Sequence, residues 1–135
     1  MIDFANGAFF KLSPVNPGEI GPAVVPIMIQ GELIVSAYKA LRDRVVFTNK
    51  RLIAVNVQGM SGKKRDFTSL PYSKIQAFSI ETAGTFDLDS ELDLWFSGLG
   101  KVRLEFRDQV RHSPSRADDC VFCSVACSEG RRLYR

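Results

Sequence analysis

Arg44–Gln58, RVVFTNKRLIAVNVQ, decides the fold. Two β-branched runs, Val45-Val46-Phe47 and Leu52-Ile53-Ala54-Val55, flank the polar Thr48-Asn49-Lys50-Arg51. Strand formers on both sides of a short polar linker that contains Asn are a hairpin signal. Asn49 is the expected tight position, because Asn tolerates left-handed backbone angles better than most residues. A hairpin alone is not stable in water, so this one must recruit other strands.

Strands are expected on both flanks. Upstream, Glu32–Arg42 alternates, with Leu33, Val35, Ala37 and Lys39 against Ile34, Ser36, Tyr38 and Ala40, and Arg42-Asp43-Arg44 turns the chain into the hairpin. Downstream, Gly59–Asp66 is a polar loop with two Gly, Phe67–Leu70 is a short strand, and Pro71-Tyr72-Ser73 is a turn. Lys74–Thr82 alternates again before a break at Ala83-Gly84-Thr85. Asp87, Asp89, Glu91 and Asp93 then recur every second residue, which predicts a strand with acids on one face from Glu91 onward. After Gly98-Leu99-Gly100, the stretch KVRLEFR has the cleanest alternation in the chain: Val102, Leu104 and Phe106 inward, Lys101, Arg103, Glu105 and Arg107 outward. The total is about seven short antiparallel strands, the range of a small barrel or sandwich.

Residues 1–31 read as an N-terminal segment outside the main sheet. Pro14, Pro17, Gly18, Gly21 and Pro22 prevent a long helix there, with room for a turn or two near Glu19–Ile29. Its apolar set, including Ile20, Val24, Val25 and Ile29, is expected to pack as a strap on its own barrel or against a neighbouring subunit.

A chain of 135 residues suits one domain with a real core. No apolar run is long enough to span a bilayer, and the first thirty residues lack the pattern of a signal peptide, so a cytoplasmic location is expected. The net charge is +3. Residues 1–100 hold ten basic and ten acidic groups, so residues 101–135 supply the excess. That is too little clustered charge for duplex nucleic acid. All three Cys lie within Cys120–Cys127, which is no disulfide framework and fits a reducing compartment.

Three blocks carry a resemblance: AYKALRDRVVFTNKRLI (37–53), VQGMSGKK (57–64) and SLPYSKIQAFSIETAGTFDLDSELDLW (69–95). In order and spacing they resemble the bacterial pleckstrin-homology (PH) domain family across Gln30–Phe106. The resemblance implies a mainly β, PH-like barrel of two near-orthogonal antiparallel sheets, closed by a C-terminal helix. It also implies a ring-shaped homo-oligomer, typically a pentamer, with no catalytic residues and no cofactor. A fold does not confer a ligand, so any lipid binding must be argued from these residues. After Phe106 the chain departs from the family. Residues 108–135 are an atypical Arg/Ser/Cys-rich tail with a single Leu and no Ile, with room for a short helix over 118–128. This composition suits a shifted reading frame or a diverged tail better than an amphipathic capping helix.

Lys63, Lys64 and Arg65, together with Lys50 and Arg51, are the candidate anion or lipid-headgroup site; the plain alternative is a solvated turn. The loop lacks the spacing and following Ser/Thr of a P-loop. Asp87, Asp89, Glu91 and Asp93 on one protomer could meet the Lys101/Arg103 strand or the Lys63–Arg65 loop of the next, a head-to-tail contact that closes rings. Tyr38, Trp95 and Phe96 are aromatic anchors of such an interface or members of the core. Cys120, Cys123, Cys127 and His112 could ligate zinc, but the set lacks the usual second Cys-x2-Cys unit, and free thiols are the plainer reading. No nucleophile, base and orienting group occur together. The expected function is therefore a non-catalytic homo-oligomeric scaffold or binding module, needing no cofactor and no nucleic acid. The alternative is a peripheral membrane adaptor that reads anionic lipid through its basic loop.

Overall fold

The computed structural model describes residues 9–81 and 89–107. Eight strands follow one another: β1 Phe9–Val15, β2 Ile34–Lys39, β3 Asp43–Thr48, β4 Arg51–Gln58, β5 Lys64–Pro71, β6 Ile75–Glu81, β7 Asp89–Phe96 and β8 Gly100–Arg107. One helix, α1 (Pro17–Val24), and two single 3-10 turns, Val25–Ile27 and Tyr72–Lys74, complete the described elements. The strands form one curled sheet, a half-barrel, in the order β5-β4-β3-β2-β1-β8-β7-β6.

All seven expected strands are present, and the eighth corrects the sequence reading. The N-terminal segment, expected outside the sheet, contributes β1 at its centre. Ser13–Val15 pair antiparallel with β2, whereas Phe9 and Leu12 pair parallel with β8. β1 thereby joins two antiparallel ladders, β2–β5 and β6–β8. The register shifts between its two halves, where Lys11 adopts a left-handed φ of 58°. Pro14 within the strand and this bend hide β1 from a search for uninterrupted alternation.

Side chains from both ladders fill the concave side, among them Leu12, Phe47, Leu52, Leu92 and Leu104. Tyr38 joins them. Its ring lies 4.8 Å from that of Phe106 and 5.9 Å from that of Phe47, both edge-on.

The hairpin reads as two continuous apolar runs because both of its faces are covered. Val45, Phe47, Leu52 and Ala54 point into the half-barrel, whereas Val46, Ile53 and Val55 pack under α1 against Ile20 and Val24. Sheets covered on both faces lose the polar half of the alternation. Asn16 caps α1 by accepting the Gly18 N–H at 2.9 Å, and Pro17 sits at the start, where its missing N–H costs nothing. The apolar N-terminal set thus divides. Ile20 and Val24 form the strap on this chain's own sheet, while Val25 and Ile29 remain exposed.

Strands β7 and β8 have only their inner face buried and keep the expected alternation, whereas β6 is exposed along most of its length. Leu92, Leu94, Phe96, Val102, Leu104 and Phe106 are buried. The acids of β7 and the charged residues of β8 line the other face. The proposed capping helix and the whole of residues 108–135 lie outside the described residues.

Candidate functional site

Asn49 is not left-handed. Among the described residues, only Lys11 and five glycines have positive φ. Asn49 instead ties the turn to the segment ahead of β2. Its amide oxygen accepts the Leu33 N–H at 2.9 Å, its amide nitrogen donates to the Gly31 carbonyl at 3.1 Å, and its own backbone N–H donates to the Leu33 carbonyl at 3.0 Å. Thr48 Oγ1 accepts from the N–H groups of Lys50 and Arg51 and so closes the turn.

Arg51 belongs to the fold rather than to a ligand site. Its Nε donates to Glu32 Oε1 at 2.9 Å and one Nη to Glu32 Oε2 at 3.1 Å. The same Nη reaches the Ile27 carbonyl at 2.6 Å, and the other reaches Ser69 Oγ at 3.0 Å. Glu32 also accepts from Thr48 Oγ1 and from the Ile29 N–H, and its side chain is fully buried. The Arg51 hydrogen bond is the main cause holding the Glu32 carboxyl down at about 2. Tyr72 donates its hydroxyl to the Thr48 carbonyl at 2.8 Å, and burial pushes its phenol well above the ordinary value.

The five basic candidates are also divided by the length of β4. Lys50 and Arg51 stand at its start, whereas Lys63 and Lys64 lie past its end, where Gln58 pairs with Lys64. Eight residues at about 3.3 Å each put the two groups roughly 25 Å apart. They cannot hold one anion together.

The β4–β5 loop has another neighbour. β3 and β4 run antiparallel, so the turn between β2 and β3 lies at the same end as that loop. Val57 donates its N–H to the Arg42 carbonyl, and Arg44 pairs with Val55 while Arg65 pairs with Val57. Arg42, Arg44 and Arg65 line one cleft of about 410 Å³, floored by Ile20, Val55 and Val57, with Glu19 of α1 on its wall. Among the described residues, none of these three guanidiniums makes an ion pair or a side-chain hydrogen bond. Gly59 and Gly62, both left-handed, shape the loop at the rim. The sequence reading included Arg65 but missed Arg42 and Arg44. Only the register across β3, β4 and β5 brings them together.

The residues expected at an interface fall into three groups. Tyr38 packs half-buried against the core, and Phe96 is buried within it. Asp89, Glu91, Asp93 and Trp95 of β7 and Lys101 and Arg103 of β8 share the outer face of one ladder. There Asp93 is directly opposite Arg103 in the same chain. The pair is bidentate, at 2.9 Å and 3.0 Å, and Arg103 also stands 3.6 Å from Glu91. The Arg103 hydrogen bond lowers the Asp93 carboxyl. The acid and the base assigned to two protomers are therefore partners within one. Glu105 lies opposite Glu91, and burial, followed by the Glu91 charge, raises its carboxyl. Asp87, Cys120, Cys123, Cys127 and His112 lie outside the described residues. Among those described, no three His, Cys, Asp or Glu side chains gather as a metal ion requires, and no helix is long and apolar enough to cross a membrane.

With this curled sheet and cleft in view, the chain belongs to the bacterial PH domain family, whose profile matches residues 3–113. It is 46% identical over 106 residues to the Uncharacterized protein YjqA of Bacillus subtilis (strain 168), a match covering 77% of this chain and 85% of that protein. A DUF1696 family protein with a pleckstrin-homology domain from Shewanella loihica PV-4 aligns in its crystal structure with a TM-score of 0.60 and 45% identity, over 70% of this chain and 81% of that one. A pleckstrin homology domain from Shewanella amazonensis SB2B aligns with a TM-score of 0.54 and 40% identity, over 78% and 82% of the two chains.

Proposed function

We propose that this bacterial PH domain is a non-catalytic binding module whose ligand is an anionic, phosphate-bearing group held in the cleft of Arg42, Arg44 and Arg65. The convergence of three guanidiniums that have no ion-pair or side-chain hydrogen-bond partner among the described residues carries this reading. A guanidinium matches a phosphate through paired N–H donors, and three arriving from a turn and two strands can engage several of its oxygens. The apolar floor lowers the local dielectric and strengthens each contact. Titration calorimetry of the full chain with pyrophosphate tests the reading. Binding that Arg44→Ala/Arg65→Ala weakens at least tenfold supports it, and no heat from the unsubstituted chain refutes it.

A second reading, a self-assembling scaffold, is favoured by the two ends of the sheet. The β5 edge carries Lys64, Arg65 and Asp66 and ends at Pro71, all features that discourage strand addition. β6 has no Pro and no charge before Glu81, and Phe78 on it is 42% exposed. An uncharged edge is a template for another strand. Light scattering decides here: a closed oligomer at micromolar concentration supports the scaffold, and a monomer removes it.

A further inference from the structure

We propose that the β6 edge of the sheet receives an extended segment of a partner protein as an added strand, and that this segment carries Lys or Arg where it faces Glu81. The proposal goes beyond the anion reading of the arginine cleft and does not depend on it. It gives a different occupant to the edge that the scaffold reading assigns to a second copy of this chain. Glu81 pairs with Glu91, and Glu91 pairs with Glu105. Directly paired residues share a face, so three glutamates form one row across β6, β7 and β8, with neighbours about 5 Å apart. Like charges set opposite one another destabilise a sheet. Toward β8 the row has cations: Arg103 stands 3.6 Å from Glu91, and the Lys11 charge favours ionised Glu105. Toward the edge it has none. Glu81 is exposed and makes no ion pair among the described residues.

The rest of β6 suits the same occupant. Gln76, Ala77, Phe78 and Ser79 are exposed, and β6 ends the strand order with its outer backbone groups unpaired among the described residues. Such an edge offers N–H and C=O groups to an incoming strand, whose side chains then alternate between the two faces. On the inner face they would lie against Phe78, which pairs with the buried Leu94, and against the half-buried Ile80. On the outer face they would follow Glu81, Ser79 and Ala77. The row beside the glutamates already has its cation, because Asp93 stands between Ser79 and Arg103 and is bonded to Arg103. The demand for positive charge is therefore confined to the Glu81 position. The fitting segment alternates apolar and polar residues, with a basic one opposite Glu81, and an acidic segment is repelled.

The test is fluorescence anisotropy of the full chain with three short labelled peptides, beside light scattering of the same samples. One peptide alternates Lys and Val, a second alternates Glu and Val, and a third alternates Lys and Pro, which keeps the charge but removes strand donors. Glu81→Lys changes one exposed side chain and should leave the far-UV circular dichroism unchanged. The expected result is binding of the Lys–Val peptide alone, weakened by salt and weakened roughly fivefold or more by Glu81→Lys. If the unsubstituted chain does not bind the Lys–Val peptide, the proposal is overturned. If the Lys–Pro peptide binds as well, the attraction is charge without an added strand, and strand addition is overturned. If the Glu–Val peptide binds equally, or Glu81→Lys binds as tightly as the parent, the glutamate row selects nothing and the basic partner is overturned. If no peptide binds and Glu81→Lys lowers the mass of a closed oligomer, a second copy holds the edge; the proposal is again overturned and the scaffold reading stands.

Discussion

Glu32 and Arg51, nineteen residues apart, are joined by two hydrogen bonds, and the Glu32 side chain is fully buried. Around them the carbonyl of Ile27, the N–H of Ile29 and the hydroxyl of Thr48 complete the donor and acceptor count. This cluster fastens the segment after α1 to the hairpin. Removing one partner of a buried ion pair leaves the other charge unpaired, at a cost of about 3–5 kcal/mol. Arg51→Met should lower the unfolding free energy measured by urea titration by an amount in that range. Glu32→Gln/Arg51→Met should recover part of the loss, because no buried charge remains. A double variant as unstable as the single one would refute this account.

The same carboxylate should set part of the acid limb of stability. Its folded value near 2 lies below the ordinary 4.5, so the unfolded chain binds more protons between those values. Its contribution is complete above about pH 5.5 and is lost as pH falls through 4.5 toward 2, amounting to roughly 3 kcal/mol. Urea titrations at pH 6, 4 and 2.5 should show Glu32→Gln losing less stability across the window than the parent. Parallel losses would remove Glu32 from the acid limb.

Lys11 holds a left-handed backbone angle that costs a non-glycine residue about 1 kcal/mol or more. Its side chain is exposed, so little packing is at stake. Lys11→Gly should therefore be neutral or stabilising, by up to about 1 kcal/mol after the entropy of glycine is counted. Lys11→Val should be clearly destabilising. A glycine variant that melts well below the parent would argue against a strained angle.

Glu105 faces Glu91 across β7 and β8, and its raised carboxyl means that ionising it costs the folded state. That cost is present at pH 7 and disappears once Glu105 is protonated in both states. Glu105→Gln should raise stability at pH 7 by about 0.5 kcal/mol and leave it nearly unchanged near pH 3. Thermal melts at the two pH values check the sign. A destabilisation at pH 7 would contradict it.

Much of the fold was legible because alternation is a local property. The inward Val102, Leu104 and Phe106 and the outward acids of β7 follow from a repeat of two along a single strand. The hairpin was equally plain, although the reason its runs are continuous was not. That reason is α1, which packs Ile20 and Val24 onto Val46, Ile53 and Val55. β1 was missed because Pro14 and the bend at Lys11 break the local signal, and because its parallel partner comes from the far end of the chain.

The sequence by itself determined the strand content, the buried faces of β7 and β8 and the family. Only the tertiary structure decided what the charged residues do. Strand pairing set Asp93 against Arg103, the segment after α1 brought Glu32 to Arg51, and eight residues of β4 separated Lys50 from Lys64. The same register gathered Arg42, Arg44 and Arg65 into one cleft. A charge has the same letter whether it is paired or free. Its role depends on which residue another strand places opposite it, and no local pattern encodes that.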